Sequence, residues 1–69
     1  MAVGHYQAAV KLDPGNARAH NNLGVAYSKL GKPDLAEAEY RQAIKLQPDY
    51  AEARRNLEAL QQSGGRFSP

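Results

Sequence analysis

The chain repeats itself at an interval of 34 residues, and this period limits its architecture more than any other feature. Pro14 and Pro48 lie 34 positions apart, and the residues around them match at the same interval. A fixed period of this length is typical of repeat proteins, in which neighbouring units stack and bury a shared core. Further identical pairs include Ala2 and Ala36, Tyr6 and Tyr40, Ala9 and Ala43, Lys11 and Lys45, Leu12 and Leu46, Ala17 and Ala51, Ala19 and Ala53, Asn22 and Asn56, and Leu23 and Leu57.

Apolar residues recur three to four positions apart in four segments, which is the spacing of one face of an α-helix. Proline disfavours helix at the residue before it, so Pro14 and Pro48 end the first and third segments. Gly31 stands where a left-handed residue ends the second, and Asn16 is a candidate N-cap. The sequence therefore predicts an all-α chain with helices over 2–12 and 17–30, a third that follows the turn 31–34 and ends near residue 46, and a fourth over 51–62. Asp34 is expected either as the N-cap or as the first-turn acid of the third helix.

Length and composition bound the class of protein. The chain has 69 residues, so it forms one domain at most with a small core. No apolar run is long enough to span a membrane and no signal peptide is recognisable, which predicts a cytoplasmic protein. Residues 63–69 lose the helical period and are predicted to form a flexible tail.

Several kinds of chemistry have no support in the sequence. There is no cysteine, no metal-ligand spacing and no glycine-rich phosphate loop, so no catalytic residue, metal or cofactor is predicted. His20 falls on the buried stripe of the second helix and is interpreted as a packing residue, and His5 as an exposed one. The net charge of +2 is interspersed rather than clustered, which argues against a nucleic-acid partner.

The pattern resembles the tetratricopeptide repeat (TPR) family, whose unit is a hairpin of two helices called A and B. The residues that carry the resemblance in the whole unit are Leu23, Gly24, Tyr27, Ala36, Tyr40, Ala43 and Pro48. The resemblance implies a TPR segment over 1–62, with half a unit at 2–14, one whole unit at 17–50 and half a unit at 51–62. Its helices would follow the order B-A-B-A and stack as antiparallel hairpins in an α-solenoid.

The resemblance also assigns packing roles within the whole unit. Gly24 and Ala36 are expected where helices A and B cross, because only small residues let the two backbones approach there. Leu23, Tyr27 and Tyr40 are expected to fill the space between neighbouring units. His20 departs from the large aromatic that the family often has at its position.

The two ends of this arrangement are predicted to differ. In the fourth helix Arg54, Glu58 and Gln61 replace the aromatic, glycine and tyrosine that the family pattern expects, as in a polar capping helix. The first helix shows no such treatment. We therefore expect the chain to be the C-terminal end of a longer array, or to associate with itself through the first helix. Exchange of halves between two chains is disfavoured, because Gly31 and Pro33 oppose a continuous helix there.

The family resemblance implies a non-catalytic module that binds a protein or peptide on the concave face formed by the A helices. Asn22 and Asn56 occupy the same position in successive units, which resembles the asparagine ladder in the TPR arrays of O-linked N-acetylglucosamine transferases. Glu52 would repel a peptide carboxylate, so the carboxylate clamp of cochaperone TPR domains is rejected. A structural scaffold or oligomerisation unit with no peptide ligand is the alternative. The predicted peptide-binding residues are Arg18, Asn21, Asn22, Val25, Lys29, Glu52, Arg55 and Asn56, and Ser28 and Ala59 lie on the same stripes.

Overall fold

The computed structural model describes residues 2–65 and consists of four helices joined by short turns. They are α1 (Ala2–Leu12), α2 (Ala17–Lys29), α3 (Pro33–Leu46) and α4 (Ala51–Gly65). α2 packs most extensively on α3, α1 packs on α2, and α4 packs on both α3 and α2. The predicted all-α fold is confirmed.

Local signals set the ends of α2. The Asn16 side chain accepts a hydrogen bond from the backbone N–H of Ala19 at 3.2 Å, which confirms its role as N-cap. Gly31 has φ +76°, in the left-handed region that glycine adopts without steric cost. Its N–H donates to the carbonyl of Ser28 at 3.1 Å, and the N–H of Lys32 donates to the carbonyl of Tyr27 at 2.9 Å. This pair of bonds is the Schellman motif, which satisfies the last carbonyls of the helix.

The other helix ends differ slightly from the prediction. α3 begins at Pro33, which suits the first helical position because its missing N–H would have no partner there. Asp34 is therefore the first-turn acid and not the N-cap. α4 continues to Gly65, so residues 63–65 are helical and not part of a tail. Glycine in a helix costs only about 1 kcal/mol relative to alanine, too little to stop a helix that is already formed. The rest of the predicted tail, residues 66–69, lies outside the described residues.

The core is built where α2 crosses α3. A Cβ atom placed on Gly24 would lie 2.6 Å from Cε1 of Tyr40 and 3.2 Å from the carbonyl oxygen of Ala36. The Tyr40 side chain is almost completely buried, with 3 % of the residue exposed. The prediction that Gly24 and Ala36 mark the close approach of the two helices is confirmed. Ala17, Ala43 and Ala53 continue the core towards α4.

His20 stands where a large packing side chain is expected, and its ring makes hydrogen bonds in addition to packing contacts. Its ring is buried in α2, and Nε2 lies 2.8 Å from the carbonyl oxygen of Pro14. A carbonyl oxygen only accepts, so Nε2 is the donor in that bond. Nδ1 pairs with the Glu39 carboxyl group of α3 at 2.8 Å. The predicted packing role is confirmed, and the ring also ties α2 to α3 and to the preceding turn.

Candidate binding groove

A groove runs between α2 and α4, the two A-type helices, which lie side by side. Its volume is about 290 Å³. α2 contributes a half-buried valine and the last two polar residues before its C-terminus, whereas α4 contributes an asparagine and two apolar residues. Tyr40 of α3 also lines the groove. The lining residues from α2 and α4 are Val25, Ser28, Lys29, Asn56, Ala59 and Leu60.

The lining combines an apolar surface with a few polar groups. Val25, Ala59 and Leu60 offer the apolar part, and Lys29 adds a positive charge at the exposed end of α2. The amide of Asn56 supplies hydrogen-bonding groups. An apolar concave surface with a small number of placed polar groups is the usual composition of a ligand site.

Three of the eight predicted binding residues come together in this groove, namely Val25, Lys29 and Asn56. Ser28 and Ala59, on the same predicted stripes, join them. The other predicted residues lie outside its lining. Arg55 lines a separate shallow depression on α4 with Ala51, Arg54 and Glu58. Arg18 and Glu52 are exposed and Asn22 is half-buried.

The prediction that Asn21 lies on the open face is wrong, because none of its surface is exposed (0 %). α2 contacts each of the other three helices, so its open stripe is narrower than that of a helix packed on one side. Asn21 falls inside the contact with α4. Its Oδ1 accepts a hydrogen bond from Nδ2 of Asn56 at 2.9 Å. Its own Nδ2 is buried and has no hydrogen-bond partner among the described residues.

Two groove residues were not in the predicted set. Leu60 follows Asn56 by four positions and so lies on the same face of α4, a spacing that could have identified it. Tyr40 belongs to α3, a B-type helix, and was assigned to packing. Only the crossing of α2 over α3 brings its ring to the groove, and no spacing within one helix reveals that.

Other kinds of site were sought in the same residues. Within 2–65 there is no group of three or more His, Cys, Asp or Glu side chains that could hold a metal ion. None of the four helices described is long and apolar enough to cross a membrane.

The antiparallel helices, their 34-residue period and the small-residue crossing define a helical repeat protein. A family model described as tetratricopeptide repeat matches residues 17–50, and a second, described as TPR repeat, matches residues 2–31. The chain belongs to the tetratricopeptide repeat family. No curated protein matches the chain. Proteins of this family typically act as non-catalytic modules that bind protein partners.

Proposed function

We propose that this chain is a non-catalytic interaction module that binds an extended peptide, or an extended segment of a partner protein, between α2 and α4. The observation that carries the proposal is the groove itself, because it brings Val25, Lys29 and Asn56 of two successive repeats to one concave surface. An extended chain exposes both its backbone amides and its side chains, so it can use the polar and the apolar parts of this surface together.

Asn56 would contact the backbone of the bound peptide. Its Nδ2 already donates to the buried Oδ1 of Asn21 at 2.9 Å, which holds the Asn56 side chain in one orientation. Oδ1 of Asn56 is then the atom that would accept from a peptide N–H. Asn22 occupies the same position one repeat earlier and is half-buried on α2. It would form the second rung of an asparagine ladder. Such a ladder would resemble the one in the TPR arrays of O-linked N-acetylglucosamine transferases.

Charge and apolar surface define the preferred ligand further. Lys29 favours a peptide with an acidic residue near the C-terminal end of α2, and Val25, Ala59 and Leu60 favour an apolar side chain beside it. Arg18, Glu52 and Arg55 are exposed outside the lining and are proposed as rim contacts only. Asn21 is proposed to position Asn56 and not to touch the ligand.

A display library of short linear peptides, selected against the chain, tests the proposal. Ala59→Arg places a long side chain into the groove at an exposed position and should abolish binding of the selected peptides. Ala38→Arg makes the same change at an exposed position on α3 outside the lining and should leave binding unchanged. Both variants should keep the helical circular dichroism spectrum of the parent.

A second matched pair of variants tests the role of the positive charge that Lys29 brings to the groove. Lys29 and Lys45 are exposed last-turn lysines of consecutive helices, and only Lys29 lines the groove. Lys29→Ala should weaken binding of acidic peptides and Lys45→Ala should not. If no peptide is selected, or if Ala59→Arg and Ala38→Arg bind alike, the groove is not the site and the scaffold alternative is favoured. The cytoplasmic location and the exclusion of nucleic acid and membranes stay predictions.

A further inference from the structure

The buried side chain of Tyr40 carries a hydroxyl group that the packing of the helices does not use. Tyr40 is 3 % exposed, and it is the Cδ1 and Cε1 edge of its ring that lies against Gly24 of α2. The hydroxyl makes no hydrogen bond to any group in the described part of the chain. Buried polar groups are normally hydrogen-bonded, because an unpaired one costs free energy. The Tyr40 hydroxyl therefore calls for a partner from outside the chain.

The α2–α4 groove gives access to this hydroxyl. Among the described side-chain nitrogen and oxygen atoms, Nδ2 of Asn21 is the one that is both enclosed and without a hydrogen-bond partner. The Tyr40 hydroxyl also lacks a partner there but is not enclosed, so solvent reaches it. Tyr40 lines the groove, which is therefore the opening through which a ligand would approach the hydroxyl.

The surroundings of the hydroxyl indicate which ligand group fits it. Burial raises the pKa of Tyr40, so the phenol keeps its proton and can donate at neutral pH. Among the described residues that line the groove, Lys29 alone is charged. A carboxylate accepts a hydrogen bond from a phenol and is attracted by an ammonium group. An apolar group would displace water from the hydroxyl without replacing its hydrogen bond.

We propose that Tyr40 contacts the ligand and selects peptides with an acidic side chain, whose carboxylate accepts a hydrogen bond from the Tyr40 hydroxyl and pairs with Lys29. This inference rests on the proposed binding of a peptide in the groove and adds a contact from α3, a B-type helix, to those from α2 and α4. The C-terminal carboxylate of a peptide has the same chemistry as an acidic side chain, so peptides with an amidated C-terminus distinguish the two sources.

Two matched peptides test the contact. One is a selected peptide with its acidic residue, the other has leucine at that position, and both are amidated at the C-terminus. Tyr40→Phe removes the hydroxyl and keeps the ring. In fluorescence anisotropy titrations it should weaken binding of the acidic peptide about tenfold or more, as expected for loss of a hydrogen bond to a charged group. Binding of the leucine peptide should stay the same or tighten, because no hydroxyl is left without a partner.

This difference between the two peptides separates ligand contact from a structural role. If Tyr40 acted only through packing, Tyr40→Phe would weaken both peptides by the same factor. Urea unfolding at neutral pH should give Tyr40→Phe nearly the stability of the parent, since the hydroxyl makes no hydrogen bond within the described residues.

Tyr27→Phe is the matched control, because it removes the same atom from a tyrosine outside the groove lining. The Tyr27 hydroxyl accepts a hydrogen bond from Nε2 of Gln7 at 3.0 Å, on the contact between α1 and α2. Tyr27→Phe should leave the affinity for both peptides unchanged.

Three results would overturn the inference. The first is a set of selected peptides without an acidic residue. The second is a Tyr40→Phe variant that binds the acidic peptide as the parent does, or that weakens both peptides equally. The third is loss of binding on amidation, which would assign the site to a C-terminal carboxylate. In each case, if Ala59→Arg still blocks the peptides, the groove remains the binding site and only the role of Tyr40 is lost. Failure to select any peptide would remove both proposals.

Discussion

Replacing Gly24 with alanine is the change that tests the packing of this fold most directly. The added methyl group would meet the Tyr40 ring at 2.6 Å and 2.7 Å and the carbonyl oxygen of Ala36 at 3.2 Å. Carbon atoms in a packed core approach to about 3.5–4.0 Å, so the ring must move by close to an ångström. Tyr40 is buried between helices, and the Ala36 oxygen belongs to the backbone, so neither neighbour moves freely.

Two opposing effects set the expected change in the free energy of unfolding of Gly24→Ala. Alanine favours helix over glycine by about 1 kcal/mol, and overpacking of a core costs about 1–3 kcal/mol. The contacts under 3.0 Å with a buried ring place Gly24→Ala at the upper end of that cost. We expect a net loss of about 2 kcal/mol in the free energy of unfolding, or a fall in Tm of about 8–16 °C for a domain of this size. This is a large part of the stability of a small domain.

Urea unfolding followed by far-ultraviolet circular dichroism measures the difference. The control is Gly4→Ala in α1, where an added Cβ meets nothing within 4 Å and only the helix preference acts. Gly4→Ala should be neutral or stabilising by up to about 1 kcal/mol. Tyr40→Leu should partly rescue Gly24→Ala, because the two changes meet at one contact. A Gly24→Ala variant as stable as the parent would refute the reasoning.

Three further predictions follow from other contacts. Gly31→Ala should cost about 1–2 kcal/mol because position 31 has φ +76°, whereas Gly15→Ala, in a turn without positive φ, should not. His20→Ala should cost about 2–4 kcal/mol in urea unfolding, since it leaves the Pro14 carbonyl and the carboxyl group on α3 without their partner, and His20→Phe should recover only the packing. Burial raises the pKa of Tyr40 above its ordinary value of 10.0, so the neutral phenol is favoured in the folded state. Stability should therefore be intact below pH 10 and fall as the pH rises above it, and Tyr40→Phe should lessen that fall in pH-dependent melting.

Local sequence signals predicted most of the helix boundaries, because caps depend on residues a few positions apart. The Asn16 cap and the Gly31 turn involve bonds that span three to five residues. The end of α4 was predicted too early, since residues 63–69 lose the helical period and were assigned to a flexible tail, although the helix continues to Gly65. The position of Gly24 within the repeat also predicted its close approach to α3. The repeat resembles that of a family in which only a small residue fits where helices A and B cross.

The groove was predicted less completely than the helices. Val25, Lys29 and Asn56 were found by helical spacing on α2 and α4. Leu60 could have been identified by the same helical spacing. Asn21 was misplaced because spacing identifies a face of α2 but not how much of that face each of its three neighbours covers.

The sequence by itself determined the repeat and the four helices, because each depends on periodicity or on residues close in the chain. Only the tertiary structure decided that Asn21 is buried and holds Asn56, that Tyr40 reaches the α2–α4 groove, and that His20 bonds across to α3. The physical reason is that burial belongs to the assembled stack. A side chain on the edge of a helix face is open or enclosed according to the angle at which the next helix crosses, and that angle is set by contacts distant in sequence.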